Sequence, residues 1–225
     1  MSTFWESQRA AANAMRQHAP ALRRDVLPWG VLGLLLNLLP SIMPAVDAAG
    51  SLAASAAYAV MAVRLHRQLL LAGENNDHPA YMRDYAGFVI WSLAIASIPA
   101  ASLLLLLLGG GRLALAFPLL LPPVLYLCAR LSLILPCRAL GDTSSISLVW
   151  SWSRSNGWKL VRTLYGVLMI LAAFKVALSQ SLGKELASLL VTLASLPATM
   201  LFVAVLSLAY RDLRSLSERP TSPAT

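Results

Sequence analysis

The chain has 225 residues, of which 58% are hydrophobic and only 12% charged, against roughly 25% charged in an ordinary soluble domain. That composition excludes a water-filled surround on all sides, and apolar blocks of about 20 residues, enough to cross a hydrocarbon core, point to a bilayer. The excess of 18 Lys and Arg over 10 Asp and Glu, with a pI near 10.1, reads as membrane topology and contact with anionic headgroups, not as nucleic-acid binding.

Residues 1–26 are expected to form a basic amphipathic segment on the cytoplasmic side. Phe4, Ala11, Met15 and Leu22 fall on one helical stripe, and Arg9, Arg16 and Arg23 recur on another. Such a helix lies in the headgroup region, or alternatively packs on the protein's own cytoplasmic loops, and Pro20 should bend it or end it early.

The first span is expected from Leu27 to Val46 and carries Asn37, Pro40 and Pro44. Ala45-Val46-Asp47 mimics a signal-cleavage site, but the apolar stretch is too long and the segment before it too extended for a secretory signal. A second span, Ala48 to Leu65, is rich in Ala and Ser and ends at Arg64, His66 and Arg67. Small residues allow close backbone approach, so this helix belongs inside the bundle. The polar connection from Gly73 to Tyr85 contains Glu74, Asp77 and His78, whose spacing fits no metal motif and whose Pro79 marks a turn.

Gly87 to Leu108 makes the third span, linked by Gly109-Gly110-Gly111-Arg112 to a fourth from Leu113 to Leu135. Pro118, Pro122 and Pro123 each remove a helical hydrogen bond, so this helix should be kinked or broken on its outer half unless neighbours satisfy the freed carbonyls. Arg130, near its end, can snorkel to phosphate, act as an internal ion-pair partner, or clamp a lipid headgroup with a bidentate guanidinium. Cys128 and Cys137 fit no metal or redox spacing and read as apolar filler.

A short polar turn, Gly141 to Ser144, is followed by a surface-lying helix expected to start at a Thr143 or Ser144 cap and run to Asn156. Its apolar arc holds Ile146, Leu148, Val149, Trp150 and Trp152, opposite Ser147, Ser151, Arg154 and Ser155. Trp150, Trp152 and Trp158 beside Arg154, Lys159 and Arg162 have the chemistry of an interface belt, where indoles and cations sit at headgroup depth. With Arg130 and Arg138 they form the candidate headgroup-contacting set. The fifth span runs from Leu160 to Leu178 with Lys175 near its far end, the sixth from Leu186 to Tyr210, and residues 211–225 are a polar, frayed cytoplasmic tail.

The expected fold is therefore all-α: a polytopic domain over residues 27–210, with six transmembrane helices arranged as three hairpins and flanked by interfacial amphipathic helices. With both termini cytoplasmic, fourteen Lys or Arg from Arg9 to Arg219 face inward, while Arg112 and Lys184 fall in outer links. The hairpins close on basic residues, and their ends VRLHRQLLLAGE and ARLSLILPCRALGD look related.

The motifs RLSLILPCRALGD, SLVWSWSRSNGWKLVRTL and LAYRDLR resemble those of bacterial six-span inner-membrane proteins. They are similar to the YciC family and to the membrane domain that accompanies some glycerophosphoryl diester phosphodiesterases. The resemblance covers most of the chain and is clearest from Arg130 to Arg162. It implies an inner-membrane location and six helices, but no phosphodiesterase activity, because the soluble catalytic barrel has no counterpart here.

No histidine or acid is expected at membrane depth, and no metal motif or nucleophile–base arrangement is visible, which disfavours an enzyme. A coupled transporter would use a midplane carboxylate; here the midplane offers only Asn37 and the prolines of span four. The favoured reading is a non-catalytic membrane protein, without cofactor or metal, that binds anionic phospholipids, a membrane-protein partner or a second copy of itself. An uncoupled transporter or permease for a small solute or lipid is the alternative.

Overall fold

The computed structural model describes residues 3–42, 47–71, 81–108, 117–142, 146–154, 156–181 and 183–217, all helix or short connections, with no strand among them. The expectations at Pro44, Ala45-Val46, Glu74 to Pro79, Gly109 to Arg112 and the Thr143 or Ser144 cap lie outside the described residues.

The N-terminal segment is two helices, α1 (Phe4–Gln17) and α2 (Ala19–Asp25). Thr3 and Glu6 close the first turn of α1 reciprocally. The Thr3 N–H donates to Glu6 Oε2 at 2.7 Å and the Glu6 N–H to Thr3 Oγ1 at 3.4 Å, which holds the Glu6 carboxyl below its ordinary range. The break falls at His18, and Pro20 sits in the first turn of α2, where its missing N–H costs no helical bond. Ala11 and Leu22 on the apolar stripe are buried and Arg9, Arg16 and Arg23 are exposed. The covering surface is the protein itself: α1 lies across the helices that begin at Gly157 and Lys184, and Gln8 Nε2 donates to the Thr163 carbonyl at 2.8 Å.

Next come α3 (Leu27–Ile42), α4 (Asp47–Leu70), α5 (Met82–Leu108) and α6 (Phe117–Ser132). They are followed by α7 (Ile134–Ala139), α8 (Ile146–Trp152), α9 (Gly157–Ser181) and α10 (Lys184–Ser217). Five segments are long and apolar enough to cross a membrane: α4, α5, α6 with α7, α9 and α10. The apolar part of α3 is shorter, Leu27–Leu39, so the described helices number five of membrane length where six were expected.

The alanine-rich α4 was expected wholly inside the bundle, but only its second half is interior: Met61 to His66 are buried apart from Arg64, while Ser51, Ala53, Ser55 and Ala56 are exposed and Leu52 is 74% exposed. It packs along α3 more extensively than any other pair of helices and also against α10, burying Ala54, Ala57, Met61 and Leu65. The core continues through Leu133 and Ile134, Leu160 and Leu164 of α9, and Leu206 and Tyr210 of α10.

Two local expectations are corrected, those for the surface helix and for the tail. Helix α6 stays helical through Pro122 and Pro123, and a break comes later, at Leu133. There Pro136 has no N–H to offer the Ser132 carbonyl, and the chain tightens so that the Leu133 N–H bonds Arg130 O at 3.4 Å. The surface helix α8 stops at Trp152, short of Asn156, because a turn through Ser153 and Arg154 intervenes. The stretch after Tyr210 is ordered helix to Ser217, held by the burial of Leu213 and by Arg214 beside Asp142. At 34 residues α10 is about 51 Å long, well beyond a hydrocarbon thickness of about 30 Å.

Helix α1 is fixed by its first aromatic ring. A Cβ added at Gly166 of α9 would lie 2.5 Å from Phe4 Cε2, so the ring occupies the space a side chain would need. Gly166→Leu is expected to expel Phe4, lowering stability by about 1–3 kcal/mol and accelerating hydrogen exchange of the α1 amides. Unchanged protection of α1 in this variant would refute the anchor.

Candidate functional site

The basic residues gather at one end of the bundle, and several do the same physical task. The last carbonyls of a helix have no intrahelical donor and are costly to leave unpaired in an apolar setting. Arg64 Nη1 donates to the carbonyl of Asp25, the last residue of α2, at 3.1 Å. Arg67 Nη1 donates to Ala139 O, the last carbonyl of α7, at 3.1 Å. Arg130 Nη2 donates to Trp150 O in the closing turn of α8, and Arg138 Nη1 to Asp142 O just past α7 at 3.2 Å. Each guanidinium also places positive charge at the negative end of a helix dipole.

Arg130 is the most enclosed of them, 4% exposed. Besides Trp150 O, its Nε donates to Ser153 Oγ at 2.9 Å and its Nη1 to the Tyr126 hydroxyl at 3.3 Å. The guanidinium carbon stacks 3.6 Å from the centroid of the Trp150 ring. No carboxylate pairs with it among the described residues; the π face and three oxygen acceptors stabilise its charge instead. This arrangement pins α8 to α6 and engages the fork that a headgroup would otherwise meet.

The other candidates divide by exposure. Arg154, Trp158, Lys159 and Arg162 are exposed, Trp158 at 60% with its ring 5.1 Å from that of Tyr126 behind it. Arg154, Lys159 and Arg162 make no ion pair among the described residues. Trp150 is partly open, whereas Trp152 is half-buried against Tyr210, ring centroids 5.9 Å apart. On the apolar arc of α8 only Val149 is fully buried, and Ile146 and Leu148 face outward. Arg138 is half-buried. Asn37, far from this cluster in sequence, lies on the exposed side of α3 and lines none of the cavities found around Arg138, the N-terminal helices or α10.

Several interior polar residues were not anticipated. His66, expected beyond the span's end, lies within α4 and is wholly buried, its Nδ1 2.7 Å from Ser207 Oγ and its ring 5.8 Å from that of Phe88. Ser207 Oγ also lies 2.9 Å from Val203 O, so the hydroxyl bridges the ring and a backbone carbonyl, and Nε2 has no hydrogen-bond partner among the described residues. Asp84 is buried, accepting the Tyr81 N–H at 3.1 Å and lying 3.7 Å from Arg67. Cys128 is more than filler: its Sγ lies 3.8 Å from Ile95 O, the carbonyl that Pro99 deprives of its helical donor. Among the described residues no group of His, Cys, Asp and Glu could hold a metal ion.

No family model matches this chain, and no curated protein or solved structure matches it either.

Two outcomes follow from this geometry. Arg130→Lys, which offers one ammonium where three acceptors and a stacking face need a planar fork, should lose about 2–4 kcal/mol, read as thermal unfolding in detergent with a change in Trp150 emission. Arg130→Lys with wild-type stability would dismiss the cradle.

The second concerns Asp25, whose carboxylate receives Arg24 Nε at 2.9 Å and Gln68 Nε2 at 3.5 Å. The Arg24 hydrogen bond holds this carboxyl below its ordinary range. A depressed folded value means the tie is intact above the ordinary carboxylate range and is lost as pH falls through the lowered value. Carboxyl NMR titration should show that low midpoint rising toward the ordinary value in Arg24→Gln.

Proposed function

We propose that the protein is a non-catalytic, multi-pass membrane protein whose basic end rests on the anionic inner leaflet of a bacterial inner membrane and binds acidic phospholipid there. The observation carrying this reading is the group Arg154, Trp158, Lys159 and Arg162, which is exposed, its three cations making no ion pair among the described residues, close in sequence to the partly open Trp150. Indoles prefer headgroup depth, and each juxtamembrane cation contributes about 1 kcal/mol toward an acidic lipid surface. The motifs from Arg130 to Arg162 that resemble those of six-span inner-membrane proteins would imply the same placement.

In this reading α3 is a sixth crossing. Its 16 described residues extend about 24 Å, short of the core thickness by an amount that local thinning would cover. An even number of crossings returns the C-terminus to the side of the N-terminus. The ends of α2, α4, α7 and α10 meeting in one polar cluster support that arrangement. The transport alternative draws nothing from Asn37, which is exposed, or from Pro122 and Pro123, through which α6 is continuous.

Reconstitution in bilayers mixing neutral and acidic phospholipid, followed by extraction with surrounding lipid, tests this. The wild type should retain acidic lipid several-fold above its bulk fraction, and the combined Arg154→Gln, Lys159→Gln, Arg162→Gln variant should fall to near bulk. Equal enrichment by the two proteins, or none by the wild type, would overturn the reading.

A further inference from the structure

Between the start of α5 and the end of α7 lies a groove of about 300 Å³ that combines two arginines with an apolar wall. We propose that it seats one phospholipid, its phosphate held by Arg83 and Arg138 and an acyl chain running along Ile90 and Trp91. This deepens the lipid-binding reading above and rests on it.

The wall comes from one face of α5. Arg83, Gly87, Ile90 and Trp91 recur at helical spacing, so a cation in the first turn leads down to apolar residues deeper in the helix. Ile90 is 63% exposed, which opens this face to hydrocarbon, and Trp91 is half-buried beside it. Phosphate above and hydrocarbon below is the order of groups along a phospholipid.

Charge at the upper end also favours an anion. Asp84 and Asp142 line the groove, but each already has a cationic neighbour behind it. Asp84 lies 3.7 Å from Arg67, and Asp142 lies 3.8 Å from Arg214 and receives the Tyr210 hydroxyl at 3.4 Å. Arg83 and Arg138 thus bring two guanidiniums to the same groove. Arg83 is exposed and makes no ion pair or hydrogen bond among the described residues. Gly141, at φ +73°, turns the chain after α7 and admits Asp84 so closely that a Cβ there would lie 3.1 Å from its Oδ1. The acids are thereby drawn back against the turn.

Gly87 keeps the groove open. A Cβ at this position would meet only Arg138 Cδ at 3.8 Å and Cβ at 4.0 Å, ordinary contacts, so alanine fits while a longer side chain would fill the space beside Arg138. That separates shape from charge, and replacing a helical glycine also favours the helix.

The test uses the full chain in detergent micelles, counting bound lipid by native mass spectrometry during titration with phosphatidylglycerol, and with glycerol phosphate as a chain-free competitor. One lipid should bind the wild type and Gly87→Ala with equal affinity. Arg83→Gln and Gly87→Leu should each weaken it about tenfold at unchanged melting temperature, and glycerol phosphate should not displace it. Wild-type affinity in both Arg83→Gln and Gly87→Leu would overturn the site, as would displacement by glycerol phosphate at equal concentration, which would indicate a soluble phosphate ligand. The Arg154, Lys159, Arg162 triple variant should keep this single lipid while losing general acidic-lipid enrichment. Loss of one behaviour without the other therefore tells which reading has failed.

Discussion

The structure depends on how the carbonyls at the ends of its helices are satisfied. In hydrocarbon or at its margin, a helix C-terminus without donors carries a desolvation cost that water would otherwise remove. Arg64, Arg67, Arg130 and Arg138 meet this requirement, each donating to the carbonyl of a residue at or just beyond a helix end. Arg64 ties α4 to α2, Arg67 ties α4 to α7 and Arg130 ties α6 to α8, so one bonding need also sets the arrangement at the basic end of the bundle.

It follows that positive charge in this chain is of two kinds. Arg130, enclosed by Tyr126, Trp150 and Ser153, is an interior structural group whose charge is delocalised over a plane and stacked on an indole. Arg83, Arg154, Lys159 and Arg162 point outward, and the lipid-binding proposals rest on these, with Arg138 sharing a half-buried position between the two kinds. A count of basic residues does not separate the two kinds, because availability for a headgroup depends on which carbonyl each residue already serves.

Proline works through the same accounting of backbone donors. Pro136 separates α6 from α7 because the Ser132 carbonyl loses its helical donor, and the short α7 that follows is buried. Pro99 leaves α5 continuous, and the carbonyl it frees is approached by the Cys128 thiol of α6. Pro20 is accommodated in a first turn, where no donor is needed. Prolines alike in sequence thus differ in effect according to what lies opposite the carbonyl four residues earlier.

Hydropathy and period alone determined the helical class, the approximate placement of the long apolar helices and the outward arginine stripe of α1. These follow from local composition, because a bilayer-length apolar block has few alternatives to a helix. The Thr3-Phe4-Trp5-Glu6 box was also readable as a capping signature, although it was not among the expectations. Only the tertiary structure decided that α1 covers α9 and α10, that α10 stays helical past Tyr210, and that Arg130 turns inward while Arg162 turns out. It likewise decided that His66 is buried against Ser207 and that Arg83 faces Arg138 across a groove. The reason is physical: each of these outcomes depends on a donor or acceptor brought from a distant part of the chain, and one-dimensional periodicity carries no information about that partner.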